Sequence, residues 1–287
     1  MRSLLFVPGD SPRKFARACE GPADALILDL EDSVAPENKA AARGHTRAML
    51  EAPRGKQLRL VRVNALDTPW TLEDLNAVLP ARPDGIVLPK CAEAGQVRQV
   101  GLWLDAFETT HGLVLGSTRI LAIATETAGA LFGLGTYVQA GPRLMGLTWG
   151  AEDLSAALGA SANRIGAEWL GPYRLARELC LAGAAAAGVP AFDTVYVAIE
   201  DLDGLATETL AAKRDGFAGK MVIHPSHAAP VNLAFTPSAD ELEWARRVVA
   251  AFASGGMGAT RMDGKMLDRP HLKLAERLLA QAKGTAA

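Results

Sequence analysis

Short apolar runs bounded by turn residues recur along the chain at a regular spacing. We predict eight of them as strands, over residues 3–8, 25–30, 58–64, 85–90, 119–126, 144–150, 192–197 and 220–225. Most positions in these runs are apolar, which is typical of strands that a parallel sheet buries on both faces.

Stretches with helical features separate these strands. They are "SPRKFARACE", "APENKAAARGHTRAMLEA", "TLEDLNAVL", "AEAGQVRQVGLWLDAFETTH", "TAGALFGLGTYVQA", "NRIGAEWLGPYRLARELCLAGAAAAG", "DGLATETLAAKRDGF" and "SADELEWARRVVAAFA". Strand and helix alternate eight times, which favours an α/β fold of the (β/α)8 TIM-barrel type. An open doubly wound sheet stays an alternative, because periodicity does not show whether a sheet closes.

The end of the chain departs from this alternation. We predict that the barrel spans residues 1–253 and that "SGGMGA", residues 254–259, is a hinge. The remainder of the segment 254–287 is predicted to hold a short ordered stretch and a last helix that begins near Pro270. The predicted fold is therefore a barrel with a C-terminal extension helix.

Composition narrows the classes of function. The chain has 287 residues, 49% of them hydrophobic, and a formal net charge of -2 from 30 basic and 32 acidic side chains. This balance argues against a nucleic-acid or membrane-surface partner. Three separated cysteines, Cys19, Cys91 and Cys180, form neither a disulfide framework nor a zinc motif. No apolar span or export segment is evident, so we expect a cytoplasmic protein.

Polar side chains follow six of the eight predicted strands. They are Asp29, Glu31 and Asp32 after the second strand, Arg62 and Asn64 after the third, Lys90 after the fourth, Glu126 after the fifth, Glu152 and Asp153 after the sixth, and His224 after the eighth. TIM barrels carry their chemistry at the carboxyl ends of their strands, so these side chains predict an active site. The alternative is that each is an ordinary loop residue or helix cap.

The acidic residues of this set indicate a hard divalent cation. Glu126 and Asp153 follow neighbouring strands, so their oxygens are predicted to bind Mg2+, and Mn2+ would fit almost as well. Glu31 and Asp32 would then accept hydrogen bonds from metal-bound waters. No histidine-rich or cysteine-rich cluster points to zinc or iron.

Three further residues leave alternatives open. Arg62 either pairs with Glu31 or Asp32, or it holds a substrate carboxylate or an oxygen that becomes anionic. Lys90 could form a Schiff base, as in class I aldolases. His224 is either a structural histidine at the barrel end or a direct participant in catalysis.

Eight blocks of sequence, taken together and in order, carry a resemblance to a known family. They are "RSLLFVPGDSPRKFARA", "DALILDLEDSVAPENKAAAR", "VRVN", "VLPK", "AIATETAGAL", "LTWGAEDLSAALG", "MVIHPSHAAPVNLAFTPS" and "DGKMLDRPHLKLAERLL". From Arg2 to about Leu279 the chain resembles the citrate lyase beta subunit and its relatives. These include malyl-CoA and citramalyl-CoA lyases, within the HpcH/HpaI aldolase group.

The resemblance implies a Mg2+-dependent lyase that cleaves a carbon–carbon bond in a 3-hydroxyacyl thioester such as citryl-, malyl- or citramalyl-CoA. The products are an oxo-acid, for example oxaloacetate, and an acetyl thioester. Glu126 and Asp153 are the implied metal ligands, and Arg62 is implied to hold the oxo-acid. Glu31 and Asp32 are assigned to the catalytic groups, because they would accept hydrogen bonds from the metal-bound waters.

The resemblance also implies contacts outside this centre. Asp268 is implied to act as an acid/base in the site of a neighbouring subunit, so we expect a homotrimer or a multiple of trimers in which residues 254–287 pack on the neighbour. Arg13 and Lys14 are implied to lie near the CoA phosphates, and Lys90 is counted with the substrate-binding groups.

Three alternatives to a lyase of free CoA thioesters remain. The first is a citrate lyase beta subunit that acts on a thioester of acyl carrier protein. The second is a thioesterase side activity, in which water attacks the thioester. The third, a non-catalytic scaffold, is disfavoured by the presence of Arg62, Glu126, Asp153 and Asp268. The sequence does not name the oxo-acid.

Overall fold

Eight parallel strands close into a barrel in the computed structural model of the protein, and the structure describes residues 1–255 and 259–285. The strands of the barrel are β1 (Ser3–Pro8), β2 (Ala25–Asp29), β3 (Leu58–Arg62), β4 (Gly85–Leu88), β5 (Arg119–Ile123), β6 (Leu144–Thr148), β9 (Ala191–Asp193) and β10 (Gly219–Val222). Two antiparallel pairs lie outside the barrel, β7 (Arg164–Ile165) with β8 (Glu168–Trp169) and β11 (Thr260–Met262) with β12 (Lys265–Leu267).

All eight predicted barrel strands are confirmed, and the alternative of an open sheet is wrong. Around the barrel the order is β1-β10-β9-β6-β5-β4-β3-β2, so β10 hydrogen-bonds to β1 and completes the ring. Most strands end a few residues earlier than predicted, because the apolar runs continue beyond the last ladder pair into the loops.

Eleven helices accompany the strands within the described residues. They are α1 (Pro12–Cys19), α2 (Lys39–Glu51), α3 (Thr71–Val78), α4 (Ala94–Thr110), α5 (Ala130–Gly133), α6 (Ala151–Leu158), α7 (Gly171–Ala186), α8 (Leu202–Asp215), α9 (Pro225–Phe235), α10 (Ala239–Gly255) and α11 (Arg269–Thr285). Short 3-10 turns cover Pro36–Asn38, Leu79–Ala81 and Leu134–Gln139. None of the described helices is both long and apolar enough to cross a membrane.

The structure corrects the predicted helices in three places. α6 and α9 were not predicted, and the predicted helix over 163–188 begins instead as the β7–β8 hairpin before α7. α6 is only 8 residues long, but its limits carry helix signals. Glu152 and Asp153 occupy its first turn, and Gly159 ends it in a left-handed conformation (φ 66°).

Inward-facing apolar side chains fill the barrel. The cluster comprises Leu4, Ala25, Ile27, Leu60, Val87, Leu121, Ile123, Phe192 and Met221. On β6 the corresponding inward position is Gly146, where an added Cβ would lie 2.8 Å from the Phe192 ring. The glycine therefore leaves room for Phe192, and burial of each large side chain contributes about 1.5–3 kcal/mol.

The chain divides into two compact units, Met1–Asn232 and Leu233–Ala287. The first contains the barrel, and the second has its own apolar cluster, which includes Ala245, Val248 and Leu278. The division precedes the predicted boundary after residue 253, which falls inside α10. Residues 254 and 255 of the predicted hinge at 254–259 belong to the end of α10, and residues 256–258 lie outside the described residues. Packing of the C-terminal segment on a neighbouring subunit stays a prediction.

Candidate active site

A cavity of about 710 Å3 opens at the carboxyl ends of the barrel strands. Its wall includes six of the predicted site residues, namely Arg13, Lys14, Asp32, Arg62, Glu126 and Asp153. Glu31 and Lys90 lie against this wall through ion pairs with Arg62 and Asp153. The barrel thus brings together eight of the nine residues predicted from the sequence.

Arg62, at the end of β3, is held mainly by a carboxylate for which no such role was predicted. Its Nε donates to Asp29 Oδ1 at 2.7 Å, and a terminal nitrogen donates to Asp29 Oδ2 at 2.8 Å. Glu31 and Asp32 lie farther out, with oxygens at 2.9 Å and 3.4 Å from the other terminal nitrogen. Of the two alternatives for Arg62, pairing with carboxylates is observed, with Asp29 as the main partner.

Asp29 is a fixed anion beneath this guanidinium. Burial alone would raise the pKa of Asp29, but hydrogen bonds from Arg62 and the Arg62 charge hold it below its ordinary value. The backbone N–H groups of Glu31 and Ser33 also donate to its carboxylate, at 2.9 Å and 3.1 Å. Asp29 and Arg62 are direct partners in the β2–β3 ladder, a register that pairs the two side chains.

Lys90 links the acidic residues on both sides of the cavity. Its backbone is left-handed (φ 50°), and its N–H donates to Glu126 Oε2 at 2.6 Å. Its ammonium group contacts Glu31 and lies 3.4 Å from Asp153. Burial lowers the pKa of Lys90, but hydrogen bonding to Glu31 and the charges of Glu31 and Asp32 raise it further, so the amine stays protonated. A Schiff base needs a neutral amine, so this geometry speaks against that alternative.

The two predicted metal ligands lie at the ends of neighbouring strands. Glu126 is 4% exposed, and burial raises its pKa to about 8, with further increases from the charges of Glu31 and Asp153. A Cβ on Gly150 would lie 2.8 Å from Glu126 Cγ, so the glycine allows α6 to begin close to this carboxylate. Asp153 follows in the first turn of α6.

The donor set fits a hard divalent cation. No group of three or more histidine, cysteine or acidic residues that could hold a metal occurs in residues 1–255 and 259–285. Mg2+ commonly takes only one or two protein carboxylates and completes its shell with water and substrate, so Glu126 and Asp153 suffice. Burial and the charges of Glu31 and Asp153 raise the pKa of Glu126, so a bound cation would favour its ionised form. The assignment of these two residues as metal ligands stays a prediction.

Basic side chains border another part of the cavity. Arg13, Lys14 and Arg17 on α1 are exposed and line its wall, and we call them the basic face. Phe15 and Ala18 bury the opposite side of the helix. Arg17 was not predicted, although its spacing of three and four residues from Lys14 and Arg13 places it on the same helix face.

The wall formed by β9 and β10 has little charge. Thr194, Val195, Met221, Ile223 and His224 line it. Thr148, on the adjacent β6, also lines the cavity, and its buried hydroxyl has no hydrogen-bond partner among the residues that the structure describes.

Asp268 belongs to the second compact unit and immediately precedes α11. Its Oδ1 lies 2.5 Å from Nδ1 of His271, a partner that was not predicted. Both side chains are about half exposed. The action of Asp268 in a neighbouring subunit's site stays a prediction.

Comparisons with known proteins agree with the fold and show the family. Residues 2–225 match the family model described as HpcH/HpaI aldolase/citrate lyase, and residues 181–285 match C–C bond lyases of the TIM-barrel fold. The chain is 36% identical to a (3S)-malyl-CoA thioesterase of Cereibacter sphaeroides, covering 100% of this chain and 96% of the relative. It is also 36% identical to the citrate lyase subunit beta of Escherichia coli, covering 98% and 93%.

A solved structure is similar over nearly the whole length of both chains. It is protein CitE of Mycobacterium tuberculosis in complex with magnesium, acetoacetate and coenzyme A. The identity is 35%, the TM-score is 0.79, and the match covers 98% of each chain.

Proposed function

The chain belongs to the HpcH/HpaI aldolase/citrate lyase family of carbon–carbon lyases, and we propose that it is a Mg2+-dependent lyase of 3-hydroxyacyl-CoA thioesters. The reaction breaks the bond between the α-carbon and the hydroxyl-bearing carbon of the acyl group. Its products are an oxo-acid and an acetyl thioester. The family resemblance deduced from the sequence is confirmed by these family and relative matches.

The observation that carries this proposal is the distribution of charge in one cavity. A carboxylate pair, Glu126 and Asp153, lies across from the cation Arg62, and the basic face of α1 borders the same space. Carboxylates suit a divalent cation, Arg62 suits a small oxo-acid, and the basic face suits phosphates. The similar CitE structure holds magnesium, acetoacetate and coenzyme A, which are these three kinds of ligand.

In this proposal the bound Mg2+ supplies a Lewis acid that polarises the oxygens of the oxo-acid portion. Arg62, held in place by Asp29, stabilises negative charge on that portion. Lys90, kept protonated by Glu31, adds a second positive charge at the same edge. Asp268 is the proposed acid/base that exchanges a proton with the α-carbon.

Hydrolysis of the thioester is a second candidate activity. It is favoured by the 36% identity to a (3S)-malyl-CoA thioesterase over the whole chain. In that reaction water attacks the thioester carbonyl, and free CoA and a hydroxy acid are released. The identity to a citrate lyase subunit beta is equal. A thioester of acyl carrier protein therefore stays an alternative to the free CoA thioester as substrate.

Product analysis separates these activities. Purified protein is incubated with malyl-, citramalyl- and citryl-CoA in the presence of Mg2+, with no partner protein added. We expect equal amounts of an oxo-acid and acetyl-CoA, and loss of both when EDTA is added. Free CoA with a hydroxy acid would indicate the thioesterase instead. Absence of any turnover, followed by activity on an acyl-carrier-protein thioester, would contradict the choice of free CoA.

The expected trimer, or multiple of trimers, belongs to the same proposal, since Asp268 is proposed to act across subunits. Size-exclusion chromatography with light scattering measures the assembly. Mixing inactive Asp268→Asn protein with inactive Glu126→Gln protein tests the sharing of sites, because subunit exchange should restore part of the activity. The predicted cytoplasmic location remains a prediction.

A further inference from the structure

His224 follows β10 in the wall of the cavity, and its ring is held by the next turn of the chain. Its Nδ1 lies 3.3 Å from the backbone nitrogen of Ser226 and 2.6 Å from the Ser226 hydroxyl oxygen. A backbone N–H only donates, so Nδ1 is an acceptor. The proton of the neutral ring is therefore on Nε2.

The opposite edge of the ring is free. Nε2 of His224 makes no hydrogen bond within residues 1–255 and 259–285, and the side chain is only partly buried. His227, one helical turn later, differs in this respect, since its Nε2 donates to the Ile199 carbonyl at 3.0 Å. His224 thus offers a donor of fixed tautomer at the cavity wall, whereas His227 uses its donor inside the protein.

The strand order determines what lies on either side of His224. β10 has β1 as one neighbour, and β1 is followed by α1 with its basic face. In the other direction come β9 and then β6 and β5, whose ends carry Asp153 and Glu126. His224 therefore lies on one side of the barrel, between the basic face and the carboxylate pair. Arg62 and Lys90 lie on the other side.

A CoA thioester in this cavity would extend along the side of His224, because its phosphates are attracted to the basic face and its anionic acyl end to the cation that Glu126 and Asp153 are proposed to hold. Three wall side chains there, Val195, Met221 and Ile223, are apolar, and the hydroxyl-bearing Thr194 is only 3% exposed. His224 is thus the accessible N–H donor among the lining residues of this wall.

We propose that His224 Nε2–H donates a hydrogen bond to the thioester carbonyl oxygen and stabilises the negative charge that develops on it. This inference rests on the proposed function. When the carbon–carbon bond breaks, its electron pair moves onto the α-carbon and, by conjugation, onto the thioester oxygen as an enolate. The substrate hydroxyl loses its proton to a general base, and a proton returns to the α-carbon. His224 itself neither gains nor loses a proton.

Three substitutions test the position of the donor. In His224→Gln the amide Nε2 takes about the place of the histidine Nε2, whereas in His224→Asn the amide reaches only about as far as Nδ1. His224→Leu removes both nitrogens. Loss of one donor to a developing oxyanion lowers kcat by about 10²–10³-fold. We expect losses in that range for Asn and Leu, and a loss within about tenfold for Gln.

A second measurement reports on the enolate alone. The wild type and the three variants are incubated with acetyl-CoA and Mg2+ in D2O, and exchange of the methyl protons is followed by NMR. We expect exchange to slow in Asn and Leu in parallel with kcat, while calorimetric binding of the oxo-acid is unchanged. His111→Leu, at the exposed C-terminus of α4, is the control and should match the wild type in both assays.

Several outcomes would overturn the inference. Wild-type kcat and exchange rates in His224→Leu would show that no donor is needed, and equal losses in Gln and Leu would show that Nε2–H is not the group concerned. If Leu does not fold, the Gln and Asn pair decides. A wild type that cleaves no thioester removes the proposed function together with this inference, whereas an active wild type with unaffected variants removes the inference alone.

Discussion

Two clusters of charged side chains lie on the same barrel, and they differ in charge balance. The first, which we call the outer cluster, lies outside the cavity wall. It has three acids, Asp193, Glu208 and Asp215, and three bases, Arg164, Arg177 and Lys220. The mouth cluster has five acids, Asp29, Glu31, Asp32, Glu126 and Asp153, against two bases, Arg62 and Lys90. The outer cluster is neutral, and the mouth cluster carries surplus negative charge.

The burial of these side chains shows what the difference in charge balance means for each cluster. In the outer cluster, Lys220 is fully buried and its ammonium lies 3.1 Å from Asp193 and 2.7 Å from Glu208. Asp193 also accepts from Trp149 Nε1 at 2.7 Å, so its buried charge is compensated. In the mouth cluster, the pKa of Glu126 rises to about 8, because burial and two neighbouring carboxylates oppose its charge. A balanced cluster serves stability, whereas the surplus at the mouth suits a cation from outside.

The largest expected effect is on activity at the mouth. Glu126→Gln removes a proposed metal ligand and should lower Mg2+-dependent turnover about 10³-fold, the equivalent of several kcal/mol of transition-state stabilisation. The melting temperature should not fall, because the substitution removes surplus charge. Steady-state kinetics and thermal denaturation measure the two effects. Glu178→Gln is the control, since Glu178 is exposed on α7 and does not line the cavity. Unchanged turnover in Glu126→Gln would refute the metal assignment.

In the outer cluster we expect a substitution to lower stability and to leave activity nearly unchanged. Asp193→Asn leaves Lys220 buried with one fewer anion, so the free energy of unfolding should fall by about 3–5 kcal/mol. Turnover per folded molecule should change little, because the carboxylate lies outside the proposed reaction centre. Urea denaturation gives the stability, and activity is measured well below the unfolding transition. A loss of turnover without a loss of stability would reverse the contrast between the clusters.

Asp29 tests whether a buried, ion-paired carboxylate of the mouth cluster serves activity or only stability. Asp29→Asn keeps the shape of the side chain and weakens its hold on Arg62. We expect turnover to fall about 10–100-fold, as for partners that orient a functional group. The KM for the oxo-acid in the condensation direction should rise. A purely structural Asp29 would instead lower only the unfolding free energy.

The smallest effect concerns acid stability. Burial alone would raise the pKa of Glu108, but hydrogen bonds from Arg143 and from the N–H groups of Thr118 and Gly116 lower it to about 2. A folded-state pKa below the ordinary value of 4.5 stabilises the protein above that pH, and this contribution is lost as the pH falls from about 4.5 to 2. Glu108→Gln should flatten the dependence of unfolding free energy on pH in this interval. An unaltered slope would contradict the pairing.

The sequence allowed the fold and most of the mouth to be predicted for a simple reason. A parallel barrel needs apolar strands and places the following residues at one rim, so strand ends such as Lys90 and Glu126 could be assigned to the same site. Asp29 was placed in the same set of strand-end residues, but its pairing with Arg62 was not predicted, because it depends on the β2–β3 register. The acids and bases of the outer cluster come from distant elements, and no local pattern joins them.

The direction of hydrogen bonds could also not be predicted from the sequence. The tautomer of His224 could not be deduced from the sequence, because only the Ser226 contacts show which ring nitrogen accepts. α6 was missed because it is short, although its acidic first turn and Gly159 carry recognisable end signals. Long apolar repeats are therefore predicted well, and features that depend on one contact or one turn are not.

The left-handed backbone of Lys90 has a practical consequence for protein engineering. A designer who transplants this rim onto another barrel cannot copy side chains alone, since an ordinary right-handed or extended residue would aim the Lys90 N–H away from Glu126. The recipient loop has to tolerate a conformation that costs most residues about 1 kcal/mol or more. Scaffolds should therefore be screened for that torsion before any substitution is chosen.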